Sequence, residues 1–415
     1  MSDTSRPLVA PFRGVRFADA GRLSSLIAPP YDVISPEERA ALAARDPDNV
    51  VRYILPDGDD RYAEALRVLD DWLARGVLVE DDEPGVTVLR QRFLTPDGVS
   101  HDRTGVIAAV AVEPFDAGRV KPHERTHSGP KEDRLALLRA SAFMFEALLM
   151  CAPDSGGELR RLVAEAQEAE PLATAELSGI DLTLWRVTGA AAEVITAVAG
   201  REPLYMADGH HRYETAVRYR EEHAAAGRVP ALLVPFDDPG LIVLPTHRVI
   251  VGKPVDSARV EAGLRDRFQV KELSGDANYV EELAAIRRRG TACVIVLPGS
   301  RALALLLRGG SARLDDFATG LDPAVAALDV TRVDGFVVKQ LVAAGGKDAR
   351  VTYSADPDVV IDAVRLGNAA AGVLLNPTAV ADVVAVADAG AAMPQKSTYF
   401  FPKVPSGLVG IGYGR

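Results

Sequence analysis

The chain has 415 residues, 48% of them apolar and 25% charged, and a net charge of −11 at neutral pH. That length exceeds one ordinary hydrophobic core, so two or three domains are expected, and the acid excess excludes the broad basic footprint that nucleic-acid binding needs. The apolar runs 106–112 and 293–297 fall far short of the roughly 20 residues of a membrane span, and the opening Met1-Ser-Asp-Thr-Ser-Arg-Pro7 has no apolar stretch of signal-peptide type, so no membrane partner and a cytoplasmic location are expected.

Along the chain, Ser35-Pro36-Glu37-Glu38 reads as a helix start, with Ser35 as cap and Glu38 closing a capping box. A second helix is expected over 59–75, ended by Gly76. Residues 86–94 and 99–112 alternate like strands around Pro96-Asp97-Gly98, a hairpin pattern. Pro130 opens what reads as a long helix, with Leu135, Leu138, Ala142, Phe145 and Leu149 as its apolar stripe. A Glu-rich helix is expected over 155–170, and strands at 182–187, 204–207, 232–236 and 241–244. Further strands are expected at 294–297, 303–307, 351–353 and 373–375, and helices at 327–342, 356–366 and 379–389. This alternation indicates an α/β protein, with mixed α+β as a variant. Soft boundaries near Pro114 and Gly252-Lys253-Pro254 suggest an N-terminal α/β region over 1–113, a core over 114–250 and a C-terminal α/β region over 251–415. Cys151 and Cys293 stand alone in apolar surroundings and read as core residues.

Five of the seven histidines fall in three short polar motifs. The most informative is Asp208-Gly209-His210-His211-Arg212. It ends the apolar run 204–207 and precedes a stretch without Gly or Pro that reads as a helix. A strand turning sharply into a helix aims free amides and a positive dipole end at one point, which makes an anion site, phosphate above all. The second motif, Lys121 to Arg134, contains His123-Glu124-Arg-Thr-His127. The zinc-protease reading of H-E-x-x-H needs a stable helix, whereas Pro122 and Gly129-Pro130 flank this one. A loop carrying Glu124, Lys131 and Arg134 to a site is the better functional reading, and a solvated charged loop the plain alternative. The third motif, Thr246-His247-Arg248, follows a strand and reads either as ligand groups at a strand end or as salt-bridged structure. Ala28-Pro-Pro-Tyr31-Asp32, Leu375-Asn-Pro-Thr378 and the loop Met393 to Lys403, with Lys396 in it, complete the polar segments. Gly345-Gly346-Lys347 lacks the rest of a P-loop, and Gly410 to Gly414 has no following helix and is no dinucleotide fingerprint.

Taken together, Ala28-Pro-Pro-Tyr-Asp-Val-Ile34, Pro122-His-Glu with Gly129-Pro-Lys-Glu-Asp-Arg-Leu135, Met206-Ala-Asp-Gly-His-His-Arg-Tyr213, Leu244-Pro-Thr-His-Arg248, Leu375-Asn-Pro-Thr378 and Met393-Pro-Gln-Lys-Ser-Thr-Tyr-Phe400 resemble the domain of unknown function 1015 family, in order, from about residue 9 to about 409. The Asp208–Arg212 turn also resembles the phosphate-gripping turn of the ParB/sulfiredoxin superfamily, which includes free serine kinases. That resemblance implies a ParB/sulfiredoxin-like nucleotide-binding core in which Gly209 and Arg212 contact phosphate. The turn has no cysteine, which removes sulfiredoxin chemistry.

The leading expectation is a nucleotide-dependent phosphotransferase acting on a small polar metabolite, free-serine-kinase-like, with ATP or ADP and Mg²⁺. In it, His210, His211 and Arg212 cradle phosphates, and Asp208 or Glu124 holds Mg²⁺ while the other accepts a proton. His123, Lys131, Arg134, Thr246, His247, Arg248 and Lys396 steady phosphate or substrate. Two other readings remain open. One is a metal-dependent hydrolase or phosphatase with Asp208, His210, His211, His247 and His123 as ligands. The other is a nucleotide sensor without turnover.

Overall fold

A computed structural model describes residues 6–126, 128–299, 301–309 and 318–414. The chain divides into two compact units, one of Met1–Ile242 with Pro402–Arg415, the other of Val243–Phe401. Both are mixed α/β.

The first unit is built on a nine-stranded mixed sheet. Eight of its strands run in the order Val120–Lys121, Leu204–Asp208, Leu148–Ala152, Arg228–Pro235, Ser100–Ala111, Gly85–Leu94, Ile180–Thr188 and Ala173–Leu177. The ninth, Val9–Ala10, pairs with Ser100–Ala111. Two pairings are parallel: Leu204–Asp208 with Val120–Lys121, and Arg228–Pro235 with Leu148–Ala152. The central strands are apolar without alternation because both faces are covered. Val106, Val110, Leu148, Met150, Leu204 and Met206 share one core with Leu135 and Tyr213 from the helices Ser128–Ser141 and His210–Glu222. That packing fixes the end of Leu204–Asp208 against the start of His210–Glu222.

Local chemistry decides several boundaries. The helix Pro36–Arg45 carries the expected capping box, Ser35 and Glu38 each bonding the other's backbone. The expected hairpin forms as Gly85–Leu94 and Ser100–Ala111, in register from Leu94 opposite Ser100. The long helix expected from Pro130 does not extend through Phe145 and Leu149. It stops at Ser141, and Ala142 takes a left-handed φ of 45°. The following residues form the short strand Phe143–Met144 and the buried strand Leu148–Ala152. A run of buried apolar residues fits helix and strand periodicity alike, and the sheet's need for a strand between Leu204–Asp208 and Arg228–Pro235 decides the matter.

The second unit holds a six-stranded, wholly antiparallel sheet in the order Phe268–Leu273, Arg301–Leu307, Ala292–Leu297, Ala371–Leu375, His247–Val251 and Arg350–Ser354. The helices Tyr279–Arg287 and Pro357–Arg365 contribute to its core. The helix expected over 327–342 runs unbroken from Asp329 to Ala344, widened into a π-turn over Asp334–Val338. Extended backbone at Leu328 separates it from the short helix Pro323–Ala327. Cys151 and Cys293 are buried free thiols. Among the described residues no helix is long and apolar enough to cross a membrane.

Candidate functional site

In the first unit the strand Leu204–Asp208 ends in Asp208, and Gly209 turns the chain at φ 95° into the helix His210–Glu222. Only glycine fits this turn comfortably. A Cβ at 209 would lie 2.6 Å from Leu148 Cδ2, and the positive φ strains any L-residue. The first intrahelical bond of the turn runs from the Tyr213 N–H to the Gly209 carbonyl. The amides of His210, His211 and Arg212 therefore point out of the helix end, with no side-chain cap from Gly209.

Charged groups converge on this end. Arg212 Nη2 donates to Asp208 Oδ2 at 2.9 Å, and the Lys403 ammonium pairs with Asp208 Oδ1. Burial opposes ionisation of Asp208, but Lys403 and Arg212 outweigh it and hold its pKa down to about 2. The carboxylate is therefore charged at neutral pH. Arg212 lies buried rather than on an exposed turn, with its side chain 5% exposed. Its Nη1 is 3.8 Å from Glu146 Oε1, and Arg134 Nη1 is 3.6 Å from Glu146 Oε2. Arg134 also bonds Asp133 and the Ile54 carbonyl, and its guanidinium lies 4.2 Å above the Tyr31 ring. Burial first, then Asp32, raises the Tyr31 hydroxyl to a pKa of about 12, so it stays protonated. A small cavity of about 20 Å³ borders this buried network.

His123 and His210 pack edge to face, ring centres 4.7 Å apart. His123 Nδ1 donates to the Met206 carbonyl at 2.8 Å, and the His123 amide donates to His210 Nε2 at 3.4 Å. Those partners set both tautomers. Burial lowers the His123 pKa to about 4, and burial followed by His123 pushes His210 well below its ordinary value. Both rings are neutral at pH 7. His211 is half-exposed on the first turn, and Glu124 half-exposed in the loop after His123. Lys131 Nζ reaches Glu214 at 2.7 Å, which Thr126 Oγ1 also meets at 2.6 Å. His123 precedes the helix Ser128–Ser141 instead of lying on it, so the zinc-protease arrangement of the 123–127 segment is absent; His127 itself lies outside the described residues. Among the described residues no group of three or more His, Cys, Asp or Glu side chains is disposed to hold a metal ion.

Thr246, His247, Arg248 and Lys396 belong to the second unit. His247 and Arg248 follow the short strand Ile242–Leu244 and themselves open the next strand, His247–Val251. His247 Nδ1 accepts from the Leu375 amide at 3.1 Å, and burial, then Arg248, lowers its pKa to about 4. Arg248 is 1% exposed and grips Asp334 with two bonds, at 2.9 and 3.0 Å. It also bonds the Thr246 and Lys396 carbonyls. Thr246 Oγ1 is buried without a hydrogen bond, and the Lys396 side chain is exposed at a residue of φ 55°.

In the first cluster Glu146 escapes sequence reasoning, and Lys403 is legible only as the end of the polar Met393–Lys403 loop. Lys403 is 195 positions from Asp208, and nothing local links them. Glu146 is a lone acid inside the apolar run 143–152, and a charge in such a run is itself a signal.

The chain belongs to the family described as protein of unknown function (DUF1015), whose pattern it matches over residues 9–331. No curated protein matches it. Among solved structures it is similar to a conserved hypothetical protein from Pyrococcus furiosus, at 14% identity and a TM-score of 0.36 over 74% of this chain and 95% of that one. It is similar to a free serine kinase in complex with AMP, at 14% identity and a TM-score of 0.37 over 73% and 91% of the two chains. It is also similar to SbnI with C-terminal truncation from Staphylococcus aureus, at 11% identity and a TM-score of 0.37 over 73% and 86%. These likenesses are distant.

Proposed function

We propose that the Asp208–Arg212 turn grips the phosphates of a nucleotide, and that the protein is a phosphotransferase acting on a small polar metabolite. The observation that carries this reading is the turn itself. A left-handed glycine feeds a helix whose first amides point outward, with Lys403 and Arg212 beside them. Amides, the helix dipole and two fixed cations act together on an incoming phosphate. Phosphoryl transfer needs positioning and charge neutralisation more than covalent chemistry, and these groups supply both.

In this reading His211, half-exposed on the first turn, contacts phosphate, and the neutral His123–His210 pair shapes the wall behind it. Lys403 exchanges Asp208 for a phosphate oxygen, and the released carboxylate then serves as base or as a single Mg²⁺ ligand, with Glu124 in the other role. One carboxylate suffices for Mg²⁺, which keeps most of its waters and takes the rest of its shell from phosphates. The ionised state of Asp208 fits that role. A resident zinc or iron site of the hydrolase reading needs three or more protein ligands, and no such group occurs among the described residues.

The test is calorimetric titration of the purified chain with ATP and ADP, with and without Mg²⁺. Saturable binding that weakens at least about tenfold in His211→Ala supports the grip. Absence of binding to either nucleotide overturns it. Transfer is then assayed as ATP consumption dependent on a hydroxyl-bearing metabolite; binding without consumption favours the sensor reading.

A further inference from the structure

A cavity of about 310 Å³ lies wholly within the second unit, beside the Asn376-Pro-Thr378 segment that follows the strand Ala371–Leu375. Its charged side chains do not pair with one another. Arg248, Arg301 and Arg265 of this unit are each matched to an acid, but the two arginines at the cavity are not. Arg332 donates to the Ala326 carbonyl at 3.1 Å and to Thr291 Oγ1 at 3.0 Å, both neutral acceptors. Arg287 donates to the Pro377 carbonyl at 3.4 Å. Asp329 and Asp382 also line the cavity, and neither carboxylate has a hydrogen bond or ion pair with any described residue. Asp329 heads the short helix Asp329–Val333, and Asp382 lies in the first turn of Val380–Asp388. Asn376 adds an amide nitrogen that is buried without a hydrogen bond.

Two cations and two anions thus share one concave site without neutralising one another. A simple anion placed there meets two carboxylates, and a simple cation meets two guanidiniums. A molecule that carries both charges a few ångströms apart answers the whole set. We infer that this cavity binds a small zwitterion of the free α-amino-acid class, its carboxylate on the arginine side and its ammonium on the aspartate side. The volume is at the lower end of small-ligand pockets, which suits a molecule of that size. Asn376 and Thr378 are then the polar groups that orient it. This site is independent of the nucleotide turn, and neither proposal needs the other.

The experiment is calorimetric titration of the full chain with each of the twenty free α-amino acids, followed by the N-acetyl and carboxamide forms of the best binder. At least one free amino acid is expected to bind, and each capped form to lose at least about tenfold in affinity, as an interaction with a charged partner implies. Arg332→Gln is expected to cost as much. Asp382→Asn, at an exposed position where folding is not at stake, is expected to cost as much again. The inference is overturned if none of the twenty binds, if capped forms bind as well as free ones, or if Asp382→Asn binds with unchanged affinity.

Discussion

The turn at Asp208–Arg212 and the segment Thr246–Arg248 use nearly the same residues after an apolar strand, yet the chain builds them differently. After Asp208, Gly209 accepts a φ of 95° and the chain winds at once into a helix, leaving its first amides outside any ladder. After Thr246, the chain stays extended, and the amides of His247–Val251 enter pairings with Arg350–Ser354 and Ala371–Leu375. The two arginines differ accordingly. Arg248 is fully buried and committed to Asp334 by two bonds; Arg212 is also buried and paired with Asp208, but it stands beside a helix end with outward amides. One glycine separates a segment that can offer its backbone to a ligand from one that has spent it on a sheet.

That contrast can be broken experimentally. The largest effect is expected from Arg248→Ala. It leaves Asp334 without its partner and empties a fully buried volume, so it should cost about 3 kcal/mol or more in denaturant unfolding. Nucleotide affinity should stay unchanged; a loss of binding with intact stability would move Thr246–Arg248 into the site.

Acid should act next, and on both units. Histidines held neutral by burial favour the native state above the unfolded-state pKa of about 6.5, and that contribution is lost as pH falls toward the folded values. For His123 and His247 those values are about 4, so stability should fall between pH 6.5 and 4 by up to about 1.4 kcal/mol per pH unit for each ring. Asp208, held at about 2, adds a further loss below about pH 4 as it protonates. Unfolding curves measured across this range, in the wild type and in His247→Gln, should show a shallower dependence in the variant. An unchanged slope would mean that His247 is charged in the native state.

Gly209→Ala is expected to cost about 1–2 kcal/mol for the left-handed backbone, with added crowding against Leu148, and to abolish nucleotide binding. Wild-type affinity in that variant would place the anion elsewhere. The smallest effect on stability belongs to His211→Ala, within about 0.5 kcal/mol for a half-exposed side chain. Its expected consequence is confined to affinity, which separates contact from folding.

Much of the local structure was legible because its causes are local. Ser35 and Glu38 announced a helix start, Pro96-Asp97-Gly98 a hairpin, and the apolar run before Asp208 a strand. The failures have one physical origin. Phe145 and Leu149 fit a helical stripe, but a buried strand is apolar at every position, so period alone cannot separate the two. The helix over 327–342 departs from its expected form at Leu328, where the backbone is extended, and in the π-turn Asp334–Val338. The loop from Met393 to Lys403 reads as a polar segment of the site, but its pattern does not say which of its two lysines, Lys396 or Lys403, meets Asp208.

The sequence by itself determined the mixed α/β class, the strand-to-helix turn at Gly209 and the family, since each depends on residues close together or in fixed order. Only the tertiary structure decided that residues 402–415 return to the first unit and bring Lys403 to Asp208. It alone showed that Glu146 lies between Arg134 and Arg212, and that Arg332 and Asp329 share a cavity unpaired. Pairing of charges is a property of distance in space, and a linear pattern of residue types carries no record of it until the core has packed.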